Sequence, residues 1–291
     1  MAAESGTALR KETIDFASGD GVYWNLARNS SDSSATRLLA EERRRKILEL
    51  LEKNGRVTVE QLTEKLSVSA VTVRADLDAL SRDGTLVRSH GGAVRHLSGA
   101  QDYPLKFKES LHHAEKVRIG VAAAKLVEPH QTIILDSGTT TAQIARQLKN
   151  SKIRPLTVIT NALNIAVELA DTADVSLIMV GGLLRQLSYS FVGPQAEKML
   201  HDLHADHFFL AVDGLHPTIG LSTPDILEAQ LNAQMIRIAN EVTVVADASK
   251  FGRRSLSVIA GLDAVRRLIT DSRITKEQAD ALREKCELVI V

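Results

Sequence analysis

The stretch that decides the fold runs from Thr132 to Leu148, "TIILDSGTTTAQIARQL". An apolar run (132–135) leads into an acid, a glycine and hydroxyls (136–141), and then into a segment of helical periodicity. That order reads as strand, turn, helix. At such a junction Gly138 lets the backbone approach a ligand closely, and the successive N–H groups at the helix start attract an anion. Ser137, Thr139, Thr140 and Thr141 add hydroxyl donors. Taken alone, "SGTTT" is equally well a plain helix N-cap.

Further apolar runs extend the pattern: "LTVIT" (156–160), "VSLIMV" (175–180), "HFFLAV" (207–212), "VTVVA" (242–246) and "ELVIV" (287–291). They alternate with helical segments of about ten to fifteen residues, which predicts an α/β domain with a mostly parallel sheet. Polar residues and glycines gather where these runs end: Asn161 after one, Gly181, Gly182 and Arg185 after another, then Asp213, and finally Asp247 and Lys250. An open α/β sheet binds ligands at the carboxyl ends of its strands. Asn, Asp and Gly also favour ordinary turns. Repeated strand after strand, with a Lys and an Arg among them, they favour an anionic small molecule.

Upstream, residues 37–96 read as a different unit. "LLAEERRRKILELLEKNG" (38–55) places Leu39, Ile47, Leu50 and Leu51 on one helical face, with Gly55 as a stop. Thr58 and Gln61 form a capping box for a second helix. Ser69 caps a third, in which Val73, Leu77 and Leu80 share a face before Gly84 ends it. Two extended pieces flank Gly91-Gly92 as a hairpin. Three helices and a hairpin predict a winged helix-turn-helix, with Ser69, Thr72 and Arg74 at the end of the recognition helix that meets base edges. Arg88 and His90 suit a wing on the DNA backbone or minor groove. Arg43 and Arg44, with Arg45 and Lys46, offer phosphate contacts. The competing reading is a protein-interaction module in which Arg74 merely pairs with Asp78.

Composition sets the outer bounds. The 291 residues are enough for roughly two domains, and net charge is zero, so no global electrostatic argument for a partner exists. Residues 37–96 hold 12 Lys/Arg against 9 Asp/Glu, a mild basic bias. The single cysteine, Cys286, excludes an internal disulfide and a cysteine-based zinc site. No apolar run approaches the ~18 residues of a membrane span, and the N-terminus lacks a signal-peptide core. These features predict a cytoplasmic protein with no membrane partner and no cofactor. Residues 1–36, rich in Ser, Gly, Asp and Asn, are expected to be a mostly disordered extension, and 97–113 a linker. The triplet His201, His204 and His207 has no cysteine or ordered carboxylate cluster to complete a metal shell.

The motifs are more specific than their spacing. Val68-Ser69, Thr72-Val73-Arg74, Asp76-Leu77, Leu80, Gly84, Leu86, Arg88 and His90 to Ala93 resemble the N-terminal signature of DeoR-family transcription regulators. Ala75 departs from it, because that family often has a second basic residue there, so the operator does not follow from the resemblance. From about Leu105 to Val291 the chain resembles that family's sensor domain, through "DSGTTT" and "STPD-LEAQLN", nearest the regulators of amino-sugar catabolism. The resemblance implies a fold similar to ribose-5-phosphate isomerase and glucosamine-6-phosphate deaminase over residues 114–291. It implies that Asp136 to Thr141 hold a phosphate, and that Asp213, Glu228 and Lys250 stand where those enzymes keep acid/base and ring-contact groups. The expected protein is a homo-oligomeric repressor, dimer or tetramer, released from operator DNA by a phosphorylated sugar. The alternatives are an isomerase- or deaminase-like enzyme, or an activator.

Overall fold

Seven parallel strands form the central sheet of the computed structural model, which describes residues 39–82, 85–89, 91–94 and 102–291. The expectation for residues 1–36, Gly84 as a helix stop, and His90 on the wing lie outside the described residues. Residues 37–291 make one compact unit.

It begins with α1 (Ala40–Asn54), β1 (Arg56–Thr58), α2 (Val59–Leu66), α3 (Ala70–Arg82), β2 (Val87–Ser89) and β3 (Gly92–Val94). The strands pair antiparallel in the order β1-β3-β2, so the hairpin gains a third strand from the α1–α2 connection. Thr58 caps α2 in a reciprocal box with Gln61. Ile47, Leu51, Leu62, Val73, Leu77 and Leu80 close a small core. Two assignments on α1 change: Leu39 is 70% exposed, and Leu48 takes the buried place. Leu39 precedes the first helical residue, so the helical period does not yet govern where its side chain points.

The remaining elements are α4 (Leu105–Ser110), α5 (His113–Ala124), β4 (Thr132–Leu135), α6 (Thr139–Lys149), β5 (Leu156–Thr160), α7 (Leu163–Leu169) and β6 (Val175–Met179). Then come β7 (Leu183–Arg185), β8 (Ser190–Val192), α8 (Pro194–Leu200), β9 (Ala205–Leu210), β10 (Gly214–His216), β11 (Gly220–Thr223) and α9 (Ile226–Ile238). The chain ends with β12 (Ala239–Val245), β13 (Ser257–Ala260), β14 (Arg267–Thr270), α10 (Lys276–Arg283) and β15 (Glu287–Ile290).

The sheet order is β15-β14-β12-β9-β4-β5-β6, every pair parallel. Side chains alternate between two cores, as a pleated strand requires. Ile133 and Leu135 of β4 face the core shared with α5, α6 and α7, while Ile134 faces the core shared with α8 and α9. Burial on both faces is why these strands read as unbroken apolar runs. β14 escapes a sequence reading because only Leu268 and Ile269 stand between Arg267 and Thr270.

Chain order reverses between β4 and β9. Strands added after β4 go one way as far as β6, and β9 returns to the other side of β4. Loops leaving two such neighbours diverge, and the crevice between them is where open α/β sheets take ligands. Those loops are Asp136–Gly138 and Ala211–Asp213.

Candidate functional site

A cleft opens at this crevice. It is lined by Asp136 to Thr140 on one side and Ala211 to Asp213 on the other, with Glu228, Lys250, Lys108 and Lys116 around it. Asp136, at the end of β4, is 2% exposed, and its Oδ1 accepts the Ala211 amide at 3.1 Å. Burial pushes this carboxyl well above the ordinary range, and the Ala211 amide offsets the shift only in part.

Gly138 is required by close approach: a Cβ there would stand 2.5 Å from the Ala211 Cβ and 2.9 Å from the Thr141 hydroxyl. That hydroxyl donates to the carbonyls of Asp136 and Gly138, 2.9 Å each, and so fixes the turn. The first N–H groups of α6 have no partner within the helix and face the cleft end. With the macrodipole behind them, they carry the partial positive charge of the helix start.

Across the cleft, Asp213 pairs with Lys108 at 3.0 Å and with Lys250 at 3.6 Å. Burial alone would raise the Asp213 carboxyl, but the two ammonium groups hold it well below the usual carboxylate range. Glu228 is fixed in the first turn of α9. Its Oε1 accepts from Ser188 at 2.5 Å, Ser190 at 2.7 Å and Arg185 at 3.4 Å. Arg185 on β7 also bonds Asp225 at 3.1 Å and Asp102. Its guanidinium is thereby a brace at the edge of the cleft.

Two lysines were not legible as site residues. Lys108 comes from α4, inside the stretch read as a linker. Lys116 on α5 is 3% exposed, and its Nζ donates to the carbonyls of Lys108 and of Leu111, the latter at 2.8 Å. Burial lowers its ammonium to about 8, with Asp247 pulling the other way. A signal for it existed: Lys116 occupies the first place of the apolar stripe Ile119, Gly120, Ala123 and Ala124. A lysine on an inward stripe needs a polar reason to be there.

Three predicted residues stand apart from the cleft wall. Asn161 is buried and donates to the Phe191 carbonyl at 3.1 Å, which pins the β7–β8 hairpin. Gly182, at φ +146°, starts that hairpin with Val192 O packed too close for a Cβ, and Gly181 lies against Met199. The reason is geometric: β5 and β6 lie beyond β4 on the far side from β9, so their ends serve the hairpin and not the crevice. Beyond Lys250, Arg253 and Arg254 bond Glu52 at 2.5 Å and His216 at 3.2 Å. The stretch 97–113 contains a packed helix: Leu105 and Lys108 of α4 line the cleft, while Phe107 and Leu111 pack on the N-terminal core.

On the N-terminal unit, Arg74 is exposed on the outer face of α3 and makes no ion pair or hydrogen bond among the described residues. Asp78 pairs instead with Arg88 at 3.0 Å, which ties the wing to α3. The Ser69 hydroxyl accepts the Thr72 amide at 3.2 Å and lies 2.9 Å from the Thr72 hydroxyl, as a helix cap does. Arg43 and Arg44 each have a partner within the domain. They converge on buried Asp76, at 2.5 and 3.0 Å, and lock α1 to α3.

Two family models match the chain: a DeoR-like helix-turn-helix domain over residues 43–98 and a DeoR C terminal sensor domain over residues 111–272. The chain belongs to the DeoR family. It is similar to the putative aga operon transcriptional repressor of Escherichia coli O157:H7, with 38% identity over 253 residues, 86% of this chain and 93% of that protein. The transcriptional repressor AccR of Agrobacterium fabrum is 36% identical over 80% of this chain and 90% of its own length. HTH-type transcriptional regulator GolR of Listeria innocua is 34% identical over 81% and 92%. A solved ribose 5-phosphate isomerase A from Methanocaldococcus jannaschii aligns with 47% of this chain and 53% of its own at a TM-score of 0.34 and 22% identity, too slight a likeness to inform function.

This DeoR-family protein is therefore a transcription regulator with a DeoR-like helix-turn-helix DNA-binding domain. No helix among its described residues is long and apolar enough to cross a membrane. Of the histidine triplet, His207 is buried in β9 of the regulator, stacked on Phe209 and 2.7 Å from the Thr243 hydroxyl. His201 lies on the surface beside Asp202.

Proposed function

We propose that this regulator represses a carbohydrate catabolic operon, nearest in type to the amino-sugar operons, and that a phosphorylated sugar in the cleft releases it from its operator. The observation that carries the reading is the place of α4. This helix forms part of the cleft wall through Leu105 and Lys108, and through Phe107, with Leu111 just after its end, it packs on the N-terminal core. A phosphate at the α6 N-terminus competes with Asp213 for Lys108 and Lys250. Freed from Asp213, Lys108 no longer holds α4 in its present seat. The same disturbance reaches α1 by a second route, because Glu52 is held by Arg253, three residues after Lys250, and by His112 at the start of α5. We further infer that the regulator works as a homo-oligomer, since one winged helix buries little surface on DNA.

The test is a thermal-shift and calorimetric panel of phosphorylated hexoses, hexosamines and pentoses, each beside its unphosphorylated sugar. A ligand that binds the folded state raises its stability by mass action, about 2.7 kcal/mol at a hundredfold excess over Kd. The 6-phosphate is expected to bind and the free sugar not to bind. Asp136→Ala is expected to abolish binding, and Asp136→Asn, a neutral isostere, to keep it. Equal affinity for free and phosphorylated sugar would remove the cradle. An operator complex tightened by effector would leave the cradle standing and reverse the repressor assignment.

A further inference from the structure

The recognition helix carries an apolar feature that nothing among the described residues covers. α3 turns Val73, Leu77 and Leu80 into the core, which leaves Val71, Arg74, Ala75 and Asp78 along its outer face. Val71 is 73% exposed, more than any other large apolar side chain among the described residues. Ala75 is exposed one turn further on. Residues four apart on a helix are neighbours, so the two form one small apolar ridge beside Arg74.

A β-branched residue is not chosen for helix propensity, and an exposed one gains nothing from burial. Its position is informative: Val71 lies in the first turn of α3, the part of a recognition helix that meets base edges in the major groove. Base edges there are donors and acceptors, with one apolar exception, the 5-methyl group of thymine. A polar side chain at position 71 would select among donors and acceptors; a valine can select only that methyl. Ala75 strengthens the case, since its small side chain keeps the second turn close to the groove floor.

We propose that Val71, with Ala75 behind it, packs on the 5-methyl group of a thymine in each operator half-site, next to the base contacted by Arg74. The inference rests on the DNA-binding domain alone and is independent of the effector reading.

The test uses the full-length chain and duplexes it recovers from a randomised library. Each thymine of the recovered site is replaced in turn by deoxyuridine, which removes only the methyl. One thymine per half-site is expected to lose about fourfold in affinity, the value of one buried methyl-sized group. Val71→Ser is expected to bind the thymine and deoxyuridine duplexes equally, while Val71→Ile keeps the discrimination. Because Val71 is exposed, both variants are expected to melt at the parent temperature, which makes the binding comparison valid. The proposal fails if no thymine in the site is sensitive to loss of its methyl. It also fails if Val71→Ser keeps the parent's discrimination. A change in sedimentation mass in that variant would assign Val71 to a protein interface and overturn the proposal as well.

Discussion

At the scale of single residues, the buried ammonium of Lys116 gives the site a pH signature. Its folded value of about 8 lies below the ordinary 10.5. Below pH 8 the group is charged and available to a phosphate, so effector affinity is expected to fall as pH rises through 8. Folding stability moves the other way, because between 8 and 10.5 the unfolded chain binds the proton and the folded one does not. Calorimetry across pH 7–9.5 checks the first trend, and Lys116→Met is expected to flatten it. Two charged residues of the N-terminal unit separate reading from folding. Arg74→Ala is expected to weaken operator binding by about 1–3 kcal/mol with an unchanged melting temperature. Asp76→Ala leaves Arg43 and Arg44 without their shared carboxylate and is expected to cost about 2–3 kcal/mol of stability, seen as a lowered melting midpoint.

At the scale of elements, α4 is the part that sequence reasoning could not place. Its six residues are too few to show a helical period, and its two faces serve different cores, so no single apolar stripe exists to detect. The Glu52 contact is equally hidden, because His112 and Arg253 stand 60 and 201 residues away along the chain. Burial alone would raise the Glu52 carboxyl, yet its bonds to His112 and Arg253 hold it at about 2. The stability it contributes is complete above the ordinary 4.5 and lost as pH falls from there toward 2. Glu52→Gln is expected to leave effector affinity within twofold of the parent. The ratio of operator affinities with and without effector is expected to drop several-fold, and anisotropy titrations at fixed salt measure both. An unchanged ratio would remove Glu52 from the coupling route.

At the scale of the whole molecule, the β7–β8 hairpin leaves Leu183, Leu184 and Tyr189 exposed, with Met199 beside its base. Apolar side chains gathered in this way mark association surfaces. Sedimentation of the full chain is expected to give a dimer or tetramer at micromolar concentration, and Leu183→Glu to shift it toward monomer with the fold kept. A parent chain that sediments as a monomer would contradict the oligomer.

Sequence by itself determined what depends on neighbours along the chain. The capping box at Thr58 and Gln61, the helical stripe of α3, the doubly buried strands and the turn from Asp136 to Thr141 are local, and each is written in residues a few positions apart. Tertiary structure alone decided which strand ends meet. Asn161, Gly181 and Gly182 looked like companions of Asp136 because all follow apolar runs, but the reversal of strand order at β4 pairs Asp136 with Ala211 and Asp213 and sends the others to the hairpin. It also brought Arg43 and Arg44 onto Asp76, since a buried carboxylate is costly when left unpaired. A one-dimensional pattern records which residues are polar; which charge each one faces is fixed only when the sheet order and the helix packing bring distant segments together.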